Sequence, residues 1–176
     1  MSTIYYTASS LDGFIVDDDV SLDWLTSRDI DTDGFGGYTP FIAGVGAIVM
    51  GATTYEWVVE HEDGAWPYEM PAWVVTHRPE IVRRDHDGVQ AFSGAVTDLH
   101  PRLLEAAGEN NVWVVGGGHL AAQYVAAGLI DEMWVHFAPC TLGSGRPVLP
   151  VRSEWTLADT GRNRDFVGAR WLRATD

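Results

Sequence analysis

The chain has 176 residues, 46% hydrophobic and 20% charged, with a formal net charge of −14. That length suits one domain, residues 1–176, with room for a sizeable core, and the acidic balance disfavours nucleic acid and anionic membrane surfaces. All 11 basic residues are Arg, which excludes a pyridoxal Schiff base, a lysine nucleophile and a P-loop. Cys140 stands alone, so no intrachain disulfide forms. No apolar run approaches the ~20 residues that span a bilayer. Met1 to Tyr6 lacks the basic start of a signal peptide, so the expected location is cytoplasmic.

In chain order, Ile4 to Ser10 reads as a strand, Leu11-Asp12-Gly13 as a turn, and Phe14-Ile15-Val16 as a resumed extended segment. Asp17-Asp18-Asp19 is a solvated acidic turn, and Ser21 to Leu25 opens a short helical or loop segment. Asp29 to Thr39, polar and glycine-rich, reads as a mobile loop. Its aspartates lack the glycine and terminal glutamate of a calcium loop. Ala47 to Met50 is a buried strand closed by Gly51, with a helix over 52–59 capped by Thr53 or Thr54. Ala72 to Thr76 is a third buried strand, followed by His77-Arg78-Pro79. Val89 to Phe92 is a short strand. The next helix should start near Thr97 to Pro101, because proline is tolerated in a first turn, and Gly108 ends it.

Val112 to Val115 is a buried strand followed at once by Gly116, Gly117 and Gly118. A helix follows from His119 to Ala127, then a strand toward Phe137, completing a βαβ unit. Trp155 to Arg162 and Phe166 to Arg173 form a C-terminal antiparallel hairpin about Asn163-Arg164-Asp165. The whole is an α/β chain, mostly parallel, with no repeat or linker.

A helix that begins directly after a strand offers unpaired N–H groups and a partial positive charge. Glycines remove the Cβ atoms that hold a ligand off the backbone, so the 116–118 turn suits a phosphate or pyrophosphate. The plain alternative is a tight turn without a ligand, but three glycines exceed what a turn needs. Met50-Gly51, Thr76-His77-Arg78 and Gly116 to Gly118 all follow buried strands, and ligands of parallel α/β sheets bind beyond such ends. No Rossmann fingerprint is present. The residues alone support an α/β nucleotide-binding candidate.

Five stretches occur together: A-S-S-L-D-G-F-I at 8–15, V-M-G-A-T-T-Y-E at 49–56, V-V-T-H-R-P at 74–79, V-V-G-G-G-H-L at 114–120, and G-L-I-D-E-M-W-V with P-C-T-L-G-S-G-R-P at 128–147. In this order the chain resembles the dihydrofolate reductase-like superfamily, and most closely the branch with the C-terminal reductase domain of bacterial riboflavin biosynthesis proteins. The resemblance implies a three-layer fold with a central, mixed, mostly parallel sheet of about eight strands flanked by helices. It implies NADPH as hydride donor, a small flat heterocycle as substrate, and a homodimer.

By position, the resemblance places Gly51, Thr53 and Thr54 against the cofactor. It places Thr76, His77 and Arg78 at the 2′-phosphate and adenosine side, and Gly116, Gly117, Gly118, His119 and Leu120 around the pyrophosphate. Asp12 would lie near the nicotinamide and substrate, with proton delivery by Asp12 or an ordered water; Gly143 and Gly145 would form a glycine-containing loop. Apart from the resemblance, Trp24 is a candidate pocket wall, since planar aromatic walls suit flat heterocycles. Ala52 replaces the family's common Arg, so NADPH preference rests on Arg78 and His77, and NADH becomes a candidate too.

Each residue has a plainer role. Asp12 before Gly13 suits a turn aspartate that bonds its own backbone. His61, His86, His100 and His136 lack metal-ligand spacing and read as structural or surface groups, so no metal site is expected. Cys140 reads as an ordinary buried thiol. From a different function class, a nucleotide- or pterin-binding module without turnover fits the same motifs.

Overall fold

The computed structural model describes residues 1–174. The strands are β1 (Thr3–Ser9), β2 (Phe14–Val16), β3 (Val45–Gly51), β4 (Ala72–Val75), β5 (Val89–Phe92), β6 (Asn111–Gly116), β7 (Glu132–Phe137), β8 (Arg146–Pro147), β9 (Trp155–Asn163) and β10 (Phe166–Arg173). The helices are α1 (Asp23–Thr26), α2 (Tyr38–Ile42), α3 (Ala52–His61), α4 (Val96–Ala107) and α5 (Gly118–Ala126).

Eight strands form one sheet in the order β5-β4-β3-β6-β1-β7-β10-β9. The six from β5 to β7 run parallel, and β10 and β9 add the antiparallel hairpin. The expected mixed, mostly parallel eight-stranded sheet is therefore present. The central strands are apolar on both faces, as burial between two helical layers requires. Val49, Val112 and Val114 pack with Leu99 and Leu103 of α4 and Leu120 and Tyr124 of α5. Ile48, Met50 and Val74 point the other way and pack with Tyr55 of α3. Each fully buried leucine such as Leu99 contributes about 2 kcal/mol of burial.

Several local expectations change. The mobile loop at Asp29 to Thr39 is tied down: the Asn163 amide accepts from Asp31 N and donates to Asp31 O and Phe35 O. Helix α4 begins at Val96 and carries Pro101 in its second turn rather than its first; Leu99, Leu103 and Ala107 hold it to the sheet regardless. Neither Thr53 nor Thr54 caps α3, whose N-cap is Gly51 without a side-chain hydrogen bond. Cys140 is half-buried rather than fully buried.

A second, two-stranded sheet pairs β2 with β8, Val16 opposite Arg146 and Phe14 opposite Pro147. Val148 N donates to Gly13 O at 2.8 Å alongside it. This small sheet folds over the carboxyl ends of the large one and forms part of the cleft wall described next.

Candidate functional site

Strands β3 and β6 are parallel neighbours, with Met50 opposite Gly116. Each ends in glycine and passes directly into a helix, β3 through Gly51 into α3 and β6 through Gly116 and Gly117 into α5. Two helix N-termini therefore open side by side at the carboxyl end of the sheet. The Gly116–Gly117 peptide is cis. A cleft of about 390 Å³ lies over them.

Gly51, Thr53, Thr54, Gly116, Gly117, Gly118, His119 and Leu120 all line this cleft. Thr7 and Ala8 from β1, Ile15 and Val16 from β2, and Leu22, Leu25 and Trp57 complete an apolar wall. Arg146 of β8 also lines it, its neighbour Pro147 packing against Gly118. In a chain with 25 acidic residues, the residues lining the cleft include no carboxylate and one arginine. Sequence reasoning missed Arg146, although the scarcity of cations was a signal toward it.

A second recess of about 390 Å³ shares Val20, Leu22, Thr53 and Trp57 with the cleft. Its character is opposite: Asp19, Asp23, Glu56 and Glu60 ring it. The Trp57 ring stacks on His61 at 3.8 Å between centroids, presenting a flat aromatic plate. Trp24 lines neither recess; its indole N–H is buried without a partner. The pocket aromatic that sequence reasoning sought in Trp24 corresponds in the structure to Trp57.

Thr76, His77 and Arg78 follow β4, one strand farther out, and do not line the cleft. Thr76 is buried and its hydroxyl accepts from Arg78 N at 2.9 Å. His77 Nδ1 lies 3.0 Å from Ser93 Oγ. The Arg78 guanidinium pairs with Glu56 at 3.1 Å. Both side chains are about half exposed, so the pair contributes roughly 0–1 kcal/mol and yields readily to a competing anion.

Asp12 also lies off the cleft wall. Its carboxylate accepts from Ser10 Oγ at 2.6 Å, Leu142 N at 3.0 Å and Gly143 N at 2.7 Å. The Ser10 hydroxyl, then the two amides, hold its pKa down at about 2. An anion so held is a poor proton donor at neutral pH. The geometry instead makes Asp12 a latch on the glycine-containing loop that precedes β8. The Ser144 hydroxyl donates to Asp18 beside it.

His86 is buried and bonded by Tyr55 Oη at 2.8 Å and to Gly64 O at 3.1 Å. Among the described residues no group of three His, Cys, Asp or Glu could hold a metal ion, and no helix is long and apolar enough to cross a membrane.

The family model for the RibD C-terminal domain matches residues 2–158. YwjB of Bacillus subtilis (strain 168), itself uncharacterised, is 32% identical over 181 residues, covering 98% of either chain. Among solved structures, a Shewanella sp. PV-4 protein assigned to riboflavin biosynthesis superposes with a TM-score of 0.85. It is 28% identical and covers 99% of this chain and 100% of that one. Dihydrofolate reductase from Enterococcus faecalis, solved with NADP(H), shares the fold at a TM-score of 0.65 and 16% identity, covering 99% and 97%.

Proposed function

The chain belongs to the RibD C-terminal domain family, and from that premise we propose that it is a nicotinamide-dependent reductase acting on a small flat heterocycle. The observation that carries the proposal is the cleft without carboxylates, set over two adjoining helix N-termini in a chain of net charge −14. An acidic protein that keeps one cleft clear of acid has a place for an anion.

The residues present fit a dinucleotide. Gly51 and Gly116 to Gly118 leave backbone N–H groups open to phosphate oxygens. Thr53 and Thr54 offer hydroxyls from the first turn of α3, and His119 and Leu120 continue the wall along α5. Arg78, once released from Glu56, would meet a 2′-phosphate; this favours NADPH, with NADH accepted more weakly. When bound, the nicotinamide supplies a hydride, and the chain's own residues do the rest. The apolar wall of Ala8, Ile15 and Leu22 excludes water, while Trp57 offers a plane against which a heterocycle can lie. Asp12 enters as a positioning residue, through its hold on the 141–145 loop.

The test is tryptophan-fluorescence titration with NADPH and NADH, followed by NADPH oxidation in the presence of pterins, pyrimidines and quinones. Failure of both nucleotides to bind would sink the proposal. A binding module without turnover is favoured by one observation: the residues lining the cleft include no Asp, Glu, Cys or Tyr and a single histidine, His119, so few side chains there could pass a proton to a substrate. Tight NADPH binding with no oxidation across that panel would select it. The homodimer and the cytoplasmic setting belong to the same reading, and light scattering on the eluted protein tests the first.

A further inference from the structure

Only one of the 11 arginines lines the cleft. Among the described residues seven arginines have no acidic partner within ion-pair distance, four being paired (Arg78, Arg83, Arg164 and Arg170), and Arg146 is the one of the seven that lines the cleft. An arginine left unpaired in so acidic a chain is available to an anion from outside it.

Its placement is built rather than incidental. The backbone of β8 is pressed against the start of α5: a Cβ on Gly118 would overlap Pro147 O and meet Val148 O at 2.7 Å. On the other flank Gly145, at φ +137°, lies against Val16 O so tightly that only glycine fits. The Asp12 carboxylate fixes Leu142 and Gly143 ahead of it. Arg146 is thus carried by a short strand wedged between β2 and the first turn of α5, beside the glycine turn.

Resting on the nucleotide reading above, we infer that Arg146 is the cation that grips the phosphate bridge of the dinucleotide. The N–H groups after Gly116 and Gly117 would hold one side of that bridge, and the planar guanidinium fork would close the other with two charge-assisted hydrogen bonds. This assigns the dinucleotide two arginines with separate duties. Arg146, lining the cleft, serves the part common to NADPH and NADH, and Arg78, outside it, serves the 2′-phosphate that only NADPH carries. It also accounts for tolerance of Ala52, since a cation reaches the phosphates from β8.

The experiment is fluorescence titration of wild type, Arg146→Gln, Arg146→Lys and Arg152→Gln with NADPH and with NADH, repeated with inorganic pyrophosphate as competitor. Arg152, exposed and outside the cleft, controls for the change in net charge. Arg146→Gln is expected to weaken both nucleotides alike, by about tenfold or more, and to abolish competition by pyrophosphate. Arg146→Lys should recover part of the affinity, and Arg152→Gln should match wild type. Unchanged affinity in Arg146→Gln, or a loss confined to NADPH, overturns the assignment. A wild type that binds neither nucleotide defeats the nucleotide reading itself and the assignment with it, a pattern distinct from either of those.

Discussion

The Asp12 carboxylate accepts the Gly143 amide at 2.7 Å, joining two residues 131 positions apart. That bond, with those from Leu142 and Ser10, makes the first turn of the chain a clasp on the segment that carries Arg146. The pKa of Asp12 in the folded chain is lowered to about 2, against about 3.9 in an unfolded chain. The clasp therefore contributes stability that is complete above pH 4 and is lost as pH falls toward 2. Asp12→Asn is expected to weaken NADPH and NADH equally while leaving the pH profile of turnover flat between pH 6 and 8. A limb in the wild-type profile over that range that Asp12→Asn removes would show Asp12 acting as the proton donor after all.

Arg78 and Glu56 make the second pair with a consequence for the cofactor, at 3.1 Å. Glu56 competes with any 2′-phosphate for the same guanidinium. Glu56→Gln is expected to tighten NADPH by up to about fivefold, the worth of a half-exposed pair, and to leave NADH unchanged. Arg78→Ala should do the reverse, losing affinity for NADPH alone. Parallel titrations of the two variants check both, and equal changes for the two nucleotides would remove Arg78 from the 2′-phosphate.

The large sheet was legible because its information is local. Val112 to Val115 and Ala72 to Val75 are short, apolar and bounded by glycine or polar residues, and they became β6 and β4. The glycine turn was legible for the same reason, since Gly116 to Gly118 sit between a strand run and a helical run. What was not legible depends on partners far along the chain. Nothing near Arg146 announces a strand of two residues, one a proline, whose pairing with Phe14 and Val16 is 130 positions away. Nothing near Asp29 to Thr39 announces that Asn163 will bind its backbone. The roles of Asp12 and Arg146 depend on such pairings. Sequence reasoning thus reached the glycine half of the cleft and missed the β2–β8 wall beside it.

Gly118 and Gly51 should separate packing from ligand approach. A methyl at Gly118 meets two backbone carbonyls of the β8 segment that cannot swing aside, whereas one at Gly51 finds its nearest neighbour, Gly116 O, at 3.9 Å. Gly118→Ala is expected to cost about 1–3 kcal/mol in urea unfolding, the range for overpacking a tight site, and to weaken the nucleotide as β8 is displaced. Gly51→Ala should keep wild-type stability and weaken the nucleotide only. Loss of stability in both, or in neither, would contradict the packing read from the two turns.

Tyr124 offers a test of the core that is independent of any ligand. It is fully buried between α5 and the sheet, its hydroxyl has no hydrogen-bond partner, and neither does Nδ1 of the nearby His100. Burial without a partner pushes the pKa of the phenol well above its ordinary value. A hydroxyl taken out of water with nothing to bond costs about 1–3 kcal/mol, and phenylalanine keeps the ring and its edge contact with His100. Tyr124→Phe is expected to raise stability by about 1 kcal/mol, which for a chain of this size is about 2–4 °C in melting temperature. Calorimetry of the two proteins decides it. A lower melting temperature for Tyr124→Phe would mean that the hydroxyl is satisfied in solution, most simply by a water shared with His100.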